Sequence, residues 1–128
     1  MSSDYSCRLS FDHDAQILEV DFSDITFENS KMVDDFYDEI DRQVAANGPK
    51  WYLLVNYRNC RIFELAWIRF AQRGKRLNLA HSLGSVRFAM ADAVADSHVA
   101  RSKSENFDPN VFGSRDDAIA EIERMKVN

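Results

Sequence analysis

Alternating apolar and polar residues at the start of the chain predict a β-hairpin. In segment 5–11 every second residue is apolar, which is the pattern of a half-buried strand. A polar turn over residues 12–16 follows, and a second apolar segment runs from 17 to 25. Two strands joined by a short polar connection predict an antiparallel hairpin.

The spacing of apolar residues changes to three and four after residue 28, which predicts a helix. Asn29 or Ser30 provides an N-cap, and the helix ends at Asn47, before Gly48 and Pro49. Six apolar side chains fall within about 140° of arc and form its core stripe: Met32, Val33, Phe36, Tyr37, Ile40 and Val44. The other side is acidic, and two interpretations stay open: a solvated face, or a docking face for a basic partner.

In segment 51–57 the odd and the even positions both carry mainly apolar side chains. We therefore expect a central strand that is covered on both faces. A second helix should follow a polar turn, starting near Phe63 and running to about His81, with its end at Gly84. It continues through Gly74, which costs about 1 kcal/mol relative to alanine in a helix interior. We interpret this glycine as a close contact between the helix and the sheet; the alternative is that it ends the helix early.

A second apolar strip on this helix lies away from its core stripe. It consists of Ile62, Leu65 and Ile68, and Arg69 lies beside it. Arginine is enriched in protein interfaces, so the strip predicts a partner surface and, most simply, a homodimer. The alternative is that another element of the same chain covers it.

The last third of the chain predicts shorter elements. Segment 85–91 reads as a strand, 92–104 as a short helix, and 107–112 as an edge strand because it contains proline. Ser114 can cap a terminal helix whose apolar positions are Ala118, Ile119, Ile122 and Met125. The elements together predict a single α/β domain over residues 1–128, with a mixed sheet and about four helices.

Composition places the chain among ordinary globular proteins. Of its 128 residues, 45% are apolar and 29% are charged. Because no apolar run reaches about 18 residues and the start has no signal-like region, we expect a cytoplasmic protein with at most peripheral membrane contact. The two cysteines form no C-x-x-C pair, and we expect neither a metal nor a cofactor.

The net charge of −5 conceals a strong separation of charges along the chain. Residues 1–48 carry 12 acidic and 3 basic side chains, whereas residues 49–90 carry 8 basic side chains and one acidic one. The charges either solvate different helix faces or form a basic patch for an anionic ligand or an acidic protomer face. Nucleic acid is an improbable partner because the chain is acidic and lacks interleaved glycine and aromatic residues in its basic part.

The turn before the second helix is the best candidate for a ligand site. It comprises Tyr57, Arg58, Asn59, Cys60 and Arg61. A helix N-terminus beside two arginines would attract an anionic group, and Cys60 there could have a lowered pKa. The alternative is that Cys60 is a buried small residue and the arginines pair with neighbouring acids. No catalytic triad, dinucleotide-binding or Walker A pattern is present, so we expect a protein that is not an enzyme.

The order of elements resembles the STAS superfamily, specifically the SpoIIAA-like branch of small bacterial proteins. The residues that carry this resemblance are segments 25–28, 53–56, 83–88 and 105–112. It implies a regulatory or protein-interaction module. In the anti-sigma-factor antagonists of this superfamily, a serine after the central strand is phosphorylated. The matching stretch here, Asn56 to Cys60, has neither that serine nor the glycine beside it, so we do not expect this switch.

The SpoIIAA-like branch has also been compared with CRAL-TRIO lipid-binding domains. This comparison implies an alternative role as a binding protein for a lipid-like or anionic small molecule. Five aromatic residues could line an apolar space between sheet and helices: Trp51, Phe63, Trp67, Phe70 and Phe88. The other interpretation is that they simply form the core.

Overall fold

The structure, a computed structural model, describes residues 5–89 and 111–127, which form one α/β unit. The strands are β1 Leu9–Asp12, β2 Ile17–Asp21, β3 Thr26–Phe27, β4 Trp51–Asn56, β5 Arg61–Ile62, β6 Ser82–Phe88 and β7 Val111–Phe112. The helices are α1 Ser30–Asn47, α2 Glu64–His81 and α3 Arg115–Lys126. The helix predicted over 92–104 and the start of the strand predicted over 107–112 lie outside the described residues.

Five strands form a mixed sheet in the order β1-β2-β4-β6-β7. The predicted hairpin is confirmed, because β1 pairs antiparallel with β2 and places Leu9 opposite Val20. The neighbours β2, β4, β6 and β7 pair in parallel. β1 begins at Leu9 instead of Tyr5 because Ser6–Arg8 form a 3₁₀ turn. β2 ends at Asp21, and the short β3 pairs in parallel with β5 as a separate two-stranded sheet.

The central strand β4 is covered on both faces, as its double alternation predicts. Leu53 and Val55 belong to the larger core, which α1 and α2 close. Leu54 faces the opposite side and packs in a second core with Ile122 of α3. Among the described helices, α1 and α2 therefore lie on one face of the sheet and α3 lies on the other, a layered arrangement common in α/β folds.

Both ends of α1 follow from the sequence. The side chain of Asn29 accepts a hydrogen bond from the backbone N–H of Met32 at 3.0 Å, which confirms the predicted N-cap. Gly48 adopts a φ of +119°, a conformation that costs glycine little, and its N–H donates to the carbonyl of Val44 at 2.9 Å. The side chain of Ser114 likewise accepts from the N–H of Asp117 at the start of α3.

The second helix ends at His81, as predicted, but its surroundings differ from the prediction in two respects. β6 begins at Ser82 without an intervening loop, so the strand predicted from 85 starts three residues earlier. A Cβ at Gly74 would lie 3.3 Å from the hydroxyl oxygen of Tyr37 on α1. The glycine therefore permits a close contact between two helices, and our expectation of a contact with the sheet was wrong.

None of the helices in the described segments is both long enough and apolar enough to cross a bilayer.

Candidate functional site

The turn after β4 does not lead directly into α2. Residues 57–60 form the turn, but Arg61 and Ile62 then form β5, which pairs with Thr26 and Phe27 of β3. α2 begins at Glu64, and its N-cap Phe63 supplies no side-chain hydrogen bond. The prediction that the turn itself is a helix N-terminus is therefore wrong, and the anion-binding argument based on it loses its physical basis.

Asp24, in the loop between β2 and β3, forms hydrogen bonds with polar groups of this turn. One carboxylate oxygen accepts a hydrogen bond from the Arg58 guanidinium and the other from the Asn59 amide, each at 3.0 Å. The Asp24 N–H donates to the carbonyl of Arg58 at 3.0 Å. The bonds from Asn59 and Arg58 lower the pKa of Asp24. An anionic ligand would have to displace this carboxylate, so the structure agrees with the alternative in which an acid pairs with the arginine.

One residue of the turn and one residue of the loop between β2 and β3 have an unusual backbone conformation. Asp24 has a φ of +61° and Asn59 a φ of +53°. Both residue types tolerate the left-handed region better than most, because their short polar side chains bond locally. The two loops are joined by the three hydrogen bonds of Asp24 at this edge of the sheet.

Cys60 is buried, with 3% of its surface exposed. Burial raises the pKa of its thiol to about 12. This shift is opposite to the one that a helix N-terminus would cause, so the hypothesis of a reactive thiolate at Cys60 is wrong. Both described cysteines are free thiols, and Cys7 is the exposed one.

The order of the strands gives a further reason not to expect a ligand site at this edge of the sheet. In open α/β sheets, ligands bind beyond the carboxyl ends of the strands, where the strand order reverses direction. The described parallel strands β2, β4, β6 and β7 follow each other in one direction, so they contain no such reversal. β3 and β5 additionally continue from the ends of β2 and β4 and bond to each other.

A buried polar cluster behind the turn could not be assigned from the sequence. Tyr37 and Tyr57 are both almost fully buried, and burial raises the pKa of each hydroxyl. The charge of Arg87 on β6 opposes this rise for both tyrosines, and its side chain also bonds Tyr57. The sequence places Arg87 within a predicted strand, but it does not reveal which buried groups the arginine meets.

The five aromatic residues proposed for an apolar binding space do not line one space. Trp51 and Phe70 are buried in the larger core. Phe88 packs in the second core on the opposite face of the sheet. Phe63 is 49% exposed. Trp67 is partly buried and packs against the larger core. The five rings therefore do not surround one ligand, and the interpretation of core aromatics holds for Trp51, Phe70 and Phe88.

The acidic side of α1 faces the basic side of α2. Arg73, with 9% of its side chain exposed, donates to Asp34 at 2.8 Å, Asp38 at 2.9 Å and Asp41 at 3.1 Å. Arg69 bonds Asp34 at 2.8 Å. Arg76 approaches Asp41 at 3.6 Å. We call this set of three arginines and three aspartates the α1–α2 ion-pair seam.

The seam accounts for much of the charge separation seen in the sequence. α1 carries five acidic and two basic residues, and α2 carries four basic residues and one acidic residue, so their formal charges are −3 and +3. The acids of α1 thus dock a basic partner, and that partner is α2 of the same chain. Partial burial by itself would raise the pKa of Asp34. Hydrogen bonds from Arg73 and Arg69 outweigh this effect and hold that pKa below its usual range.

The face of α2 that points away from the core carries three large exposed apolar side chains among charged and polar ones. Leu65, Ile68 and Leu79 are 81%, 73% and 65% exposed. At 3.6 residues per turn these three positions and Gln72 fall within about 60° of arc, and they extend over about 21 Å. We call these four residues the α2 ridge. Ile62, which was predicted to belong to this surface, is half-buried against the larger core.

A shallow depression of about 200 Å³ lies where α1 ends and α2 ends. Its lining comprises Asp41, Val44, Ala45, Gly48, Pro49 and His81. Asp41 belongs to the ion-pair seam, and the Nδ1 atom of His81 lies 2.7 Å from the carbonyl oxygen of Pro49. The depression is smaller than the ~300–1,000 Å³ of typical ligand pockets.

Among the described residues, no three or more histidine, cysteine, aspartate or glutamate side chains are arranged to hold a metal ion.

Comparisons with known proteins return no relative that could assign a role. No protein-family model, no curated protein and no solved structure matches the chain. The resemblance to the STAS superfamily therefore stays a prediction.

Proposed function

We propose that this chain is a non-enzymatic protein-interaction module, and that the α2 ridge is its docking surface. The observation that carries the proposal is the position of the exposed apolar side chains. The described chain has six large hydrophobic residues that are strongly exposed: Phe63, Leu65, Ile68, Leu79, Leu83 and Val127. Five of them lie on α2 or within two residues of its ends.

The other described helices supply the contrast. The exposed positions of α1 are polar or alanine, such as Lys31, Arg42 and Ala45, and those of α3 are mostly charged. Single exposed leucines are common and need no explanation, but several on one helix face mark interaction sites. A helix that presents leucine and isoleucine in register is suited to pack against another helix or a groove.

The alternative function, binding of a lipid-like or anionic small molecule at residues 57–61, has less support. Arg58 and Asn59 bond Asp24, and Cys60 is buried. Arg61 is exposed, but its backbone N–H already donates to the carbonyl of Ile25.

We further propose a STAS-like, SpoIIAA-like architecture and, with it, a regulatory role. Three observations support this: the antiparallel hairpin at the start, the parallel order of the following strands, and the position of α1 and α2 on one face of the sheet. A solved structure whose sheet order differs from β1-β2-β4-β6-β7 would count against this architecture.

Site-specific photo-cross-linking tests the docking surface. A benzophenone amino acid is placed at Ile68, in the ridge, and in a control protein at Ala46, which is exposed near the end of α1. Both proteins are produced in the cells that naturally make this chain and are then irradiated. We expect one discrete adduct from position 68, of any mass, and no adduct from position 46.

A second substitution shows whether the whole ridge takes part. Leu79→Asp lies about 16 Å from Ile68 along the helix, given a rise of 1.5 Å per residue. We expect it to abolish the adduct formed at position 68 without changing the circular dichroism of the protein. Equal labelling at positions 68 and 46, or no labelling at either, would mean that the ridge is not a docking surface.

A further inference from the structure

We propose that the junction of Asn47 and Gly48 is a deamidation site, and that the last turn of α1 and His13 together control how fast it reacts. This inference goes beyond the proposed function and does not involve the α2 ridge. The junction is the only asparagine–glycine pair in the sequence. Because glycine has no Cβ, its backbone nitrogen can approach the preceding side chain with less steric hindrance than that of any other residue.

The reaction needs only water, hydroxide and the groups of these two residues. The backbone nitrogen of Gly48 loses its proton to hydroxide and attacks Cγ of Asn47, so an N–Cγ bond forms and negative charge develops on Oδ1. The Cγ–Nδ2 bond then breaks, and Nδ2 takes a proton from water and leaves as ammonia. Water opens the resulting succinimide at either of its two carbonyl groups, and position 47 becomes aspartate or isoaspartate.

In the folded chain the attacking nitrogen is engaged in a hydrogen bond. The Gly48 N–H donates to the carbonyl of Val44 at 2.9 Å, the bond that closes α1. The Gly48 carbonyl accepts from the indole N–H of the buried Trp51 at 2.7 Å. Gly48 is thus bonded through both of its backbone groups, and attack on Cγ requires its N–H bond to open first.

The side chain of Asn47 is restrained as well. Its Nδ2 donates to the carbonyl of Gln43, one turn earlier in α1, at 2.9 Å. Its Oδ1 lies 3.2 Å from Nε2 of His13 in the turn between β1 and β2. Because an amide oxygen only accepts hydrogen bonds, Nε2 is the donor. The His13 ring also packs edge-on against Trp51 at a centroid distance of 5.0 Å, which holds it beside Asn47.

The bond from His13 has two opposing effects on the reaction. It restrains the Asn47 side chain, which slows the reaction, but the same N–H would stabilise the charge that develops on Oδ1 during attack. Effective stabilisation of an oxyanion needs a donor at about 2.7–3.1 Å in a site from which water is excluded. His13 is exposed and lies at 3.2 Å, so the restraint prevails.

Deamidation would weaken the connection between α1 and β4, residues 48–50. A carboxylate at position 47 has no donor for the Gln43 carbonyl, and it adds negative charge at the C-terminus of α1, where the helix dipole is already negative. Asn47→Asp, which reproduces one product, should therefore lower the midpoint of thermal unfolding by about 3 °C. An unchanged midpoint would overturn this consequence.

Peptide mass spectrometry of the full chain, aged at mildly alkaline pH, measures conversion at position 47. We expect conversion to be at least about tenfold slower in the folded protein than in urea, because the Gly48 N–H bond and the side-chain bonds must open first. Asn78 is the matched control. Its Nδ2 makes the same kind of bond to the carbonyl of Gly74, at 2.8 Å, but Leu79 follows it. Asn78 should convert more slowly than Asn47 in urea.

His13→Ala tests the control by the hairpin turn. It removes one exposed hydrogen bond, so the rate in the folded protein should rise about threefold while the rate in urea stays the same. Gln16→Ala is the control, because Gln16 donates from the same turn to the carbonyl of Lys50, also at 3.2 Å, without touching Asn47. It should leave the rate unchanged.

Each outcome decides one part of the proposal. Equal rates in the folded protein and in urea would overturn the control by the fold. A rate that His13→Ala leaves unchanged would overturn the role of His13, and a lower rate would mean that oxyanion stabilisation prevails over the restraint. No conversion at position 47 in urea would reject the site itself. None of these results bears on the α2 ridge, which cross-linking at position 68 tests separately.

Discussion

Replacing Arg73 with methionine tests whether the α1–α2 ion-pair seam holds the two helices together. The Arg73 side chain is 9% exposed, and its guanidinium bonds Asp34, Asp38 and Asp41. It also lies 5.5 Å from the centre of the Tyr37 ring, where a cation is attracted to the aromatic face. Methionine retains much of the aliphatic stem but leaves three neighbouring carboxylates without their shared cation.

The magnitude follows from the exposure of the three carboxylates. Asp34, Asp38 and Asp41 have side-chain exposures of 30%, 69% and 48%. A hydrogen bond to a charged group contributes about 1.5–3 kcal/mol, whereas an exposed ion pair contributes about 0–1 kcal/mol because water screens it. Taking the lower bound of ~1.5 kcal/mol for Asp34 and ~0.5 kcal/mol for each of the others gives a loss of about 2.5 kcal/mol.

Urea unfolding at pH 7, followed by the fluorescence of the buried Trp51, measures this loss. With a slope of about 2 kcal/mol per molar urea, Arg73→Met should lower the midpoint by about 1 M. Arg76→Met is the matched control, because Arg76 is 65% exposed and lies 3.6 Å from its carboxylate. It should cost less than about 0.5 kcal/mol. Equal losses from the two variants would refute the reasoning.

The same variant has a predictable pH dependence. The pKa of Asp34 is lowered in the folded protein by the arginine bonds, so the stabilisation is complete above its unfolded pKa and is lost as the pH falls through the folded value. The difference in stability between the original protein and Arg73→Met should therefore be largest near neutral pH. It should shrink once the pH falls below the unfolded pKa of 3.8. A difference that stays constant down to pH 2 would contradict an electrostatic origin.

Three further predictions concern single positions. Cys60, with its pKa raised to about 12 by burial, should react with Ellman's reagent only after unfolding, whereas the exposed Cys7 reacts at once; two rapidly reacting thiols would contradict this. Gly74→Ala should change the free energy of unfolding by less than about 1 kcal/mol, because the gain in helix propensity opposes the tight contact at Tyr37. Gly74→Leu should lower the free energy of unfolding by about 2 kcal/mol in urea titrations. If Gly74→Leu left the free energy of unfolding unchanged, the two helices would separate easily at this contact. Asn29→Ala should cost about 1 kcal/mol in thermal unfolding through loss of the N-cap, and an unchanged midpoint would show that the cap bond does not matter in solution.

Local signals predicted the elements of this fold well, because their causes lie within a few residues. The Asn29 cap and the Gly48 end of α1 depend on backbone groups of the same helix. The double burial of β4 follows from its continuous apolar run. Such features need no knowledge of which distant residues meet.

The features that were missed all depend on pairing between distant segments. The two-residue strands β3 and β5 are too short to show a pattern and exist because they pair across 35 positions. The bond between Asp24 and Asn59, and those of Arg73, join residues 32 to 39 positions apart. The sequence shows that α1 is acidic and α2 basic, but the register of the two helices decides which charges meet.

The strand order also determines how the sheet can be assembled during synthesis. Each strand of the five-stranded sheet pairs with one that has left the ribosome before it: β2 with β1, β4 with β2, β6 with β4 and β7 with β6. None of these five described strands has to insert between two others, so this sheet can grow at a single edge. At about 5–20 residues per second, the roughly thirty residues between the ends of β4 and β6 take about 2–6 s to synthesise. During that interval the backbone N–H and C=O groups along the edge of β4 that later pairs with β6 have no partner strand.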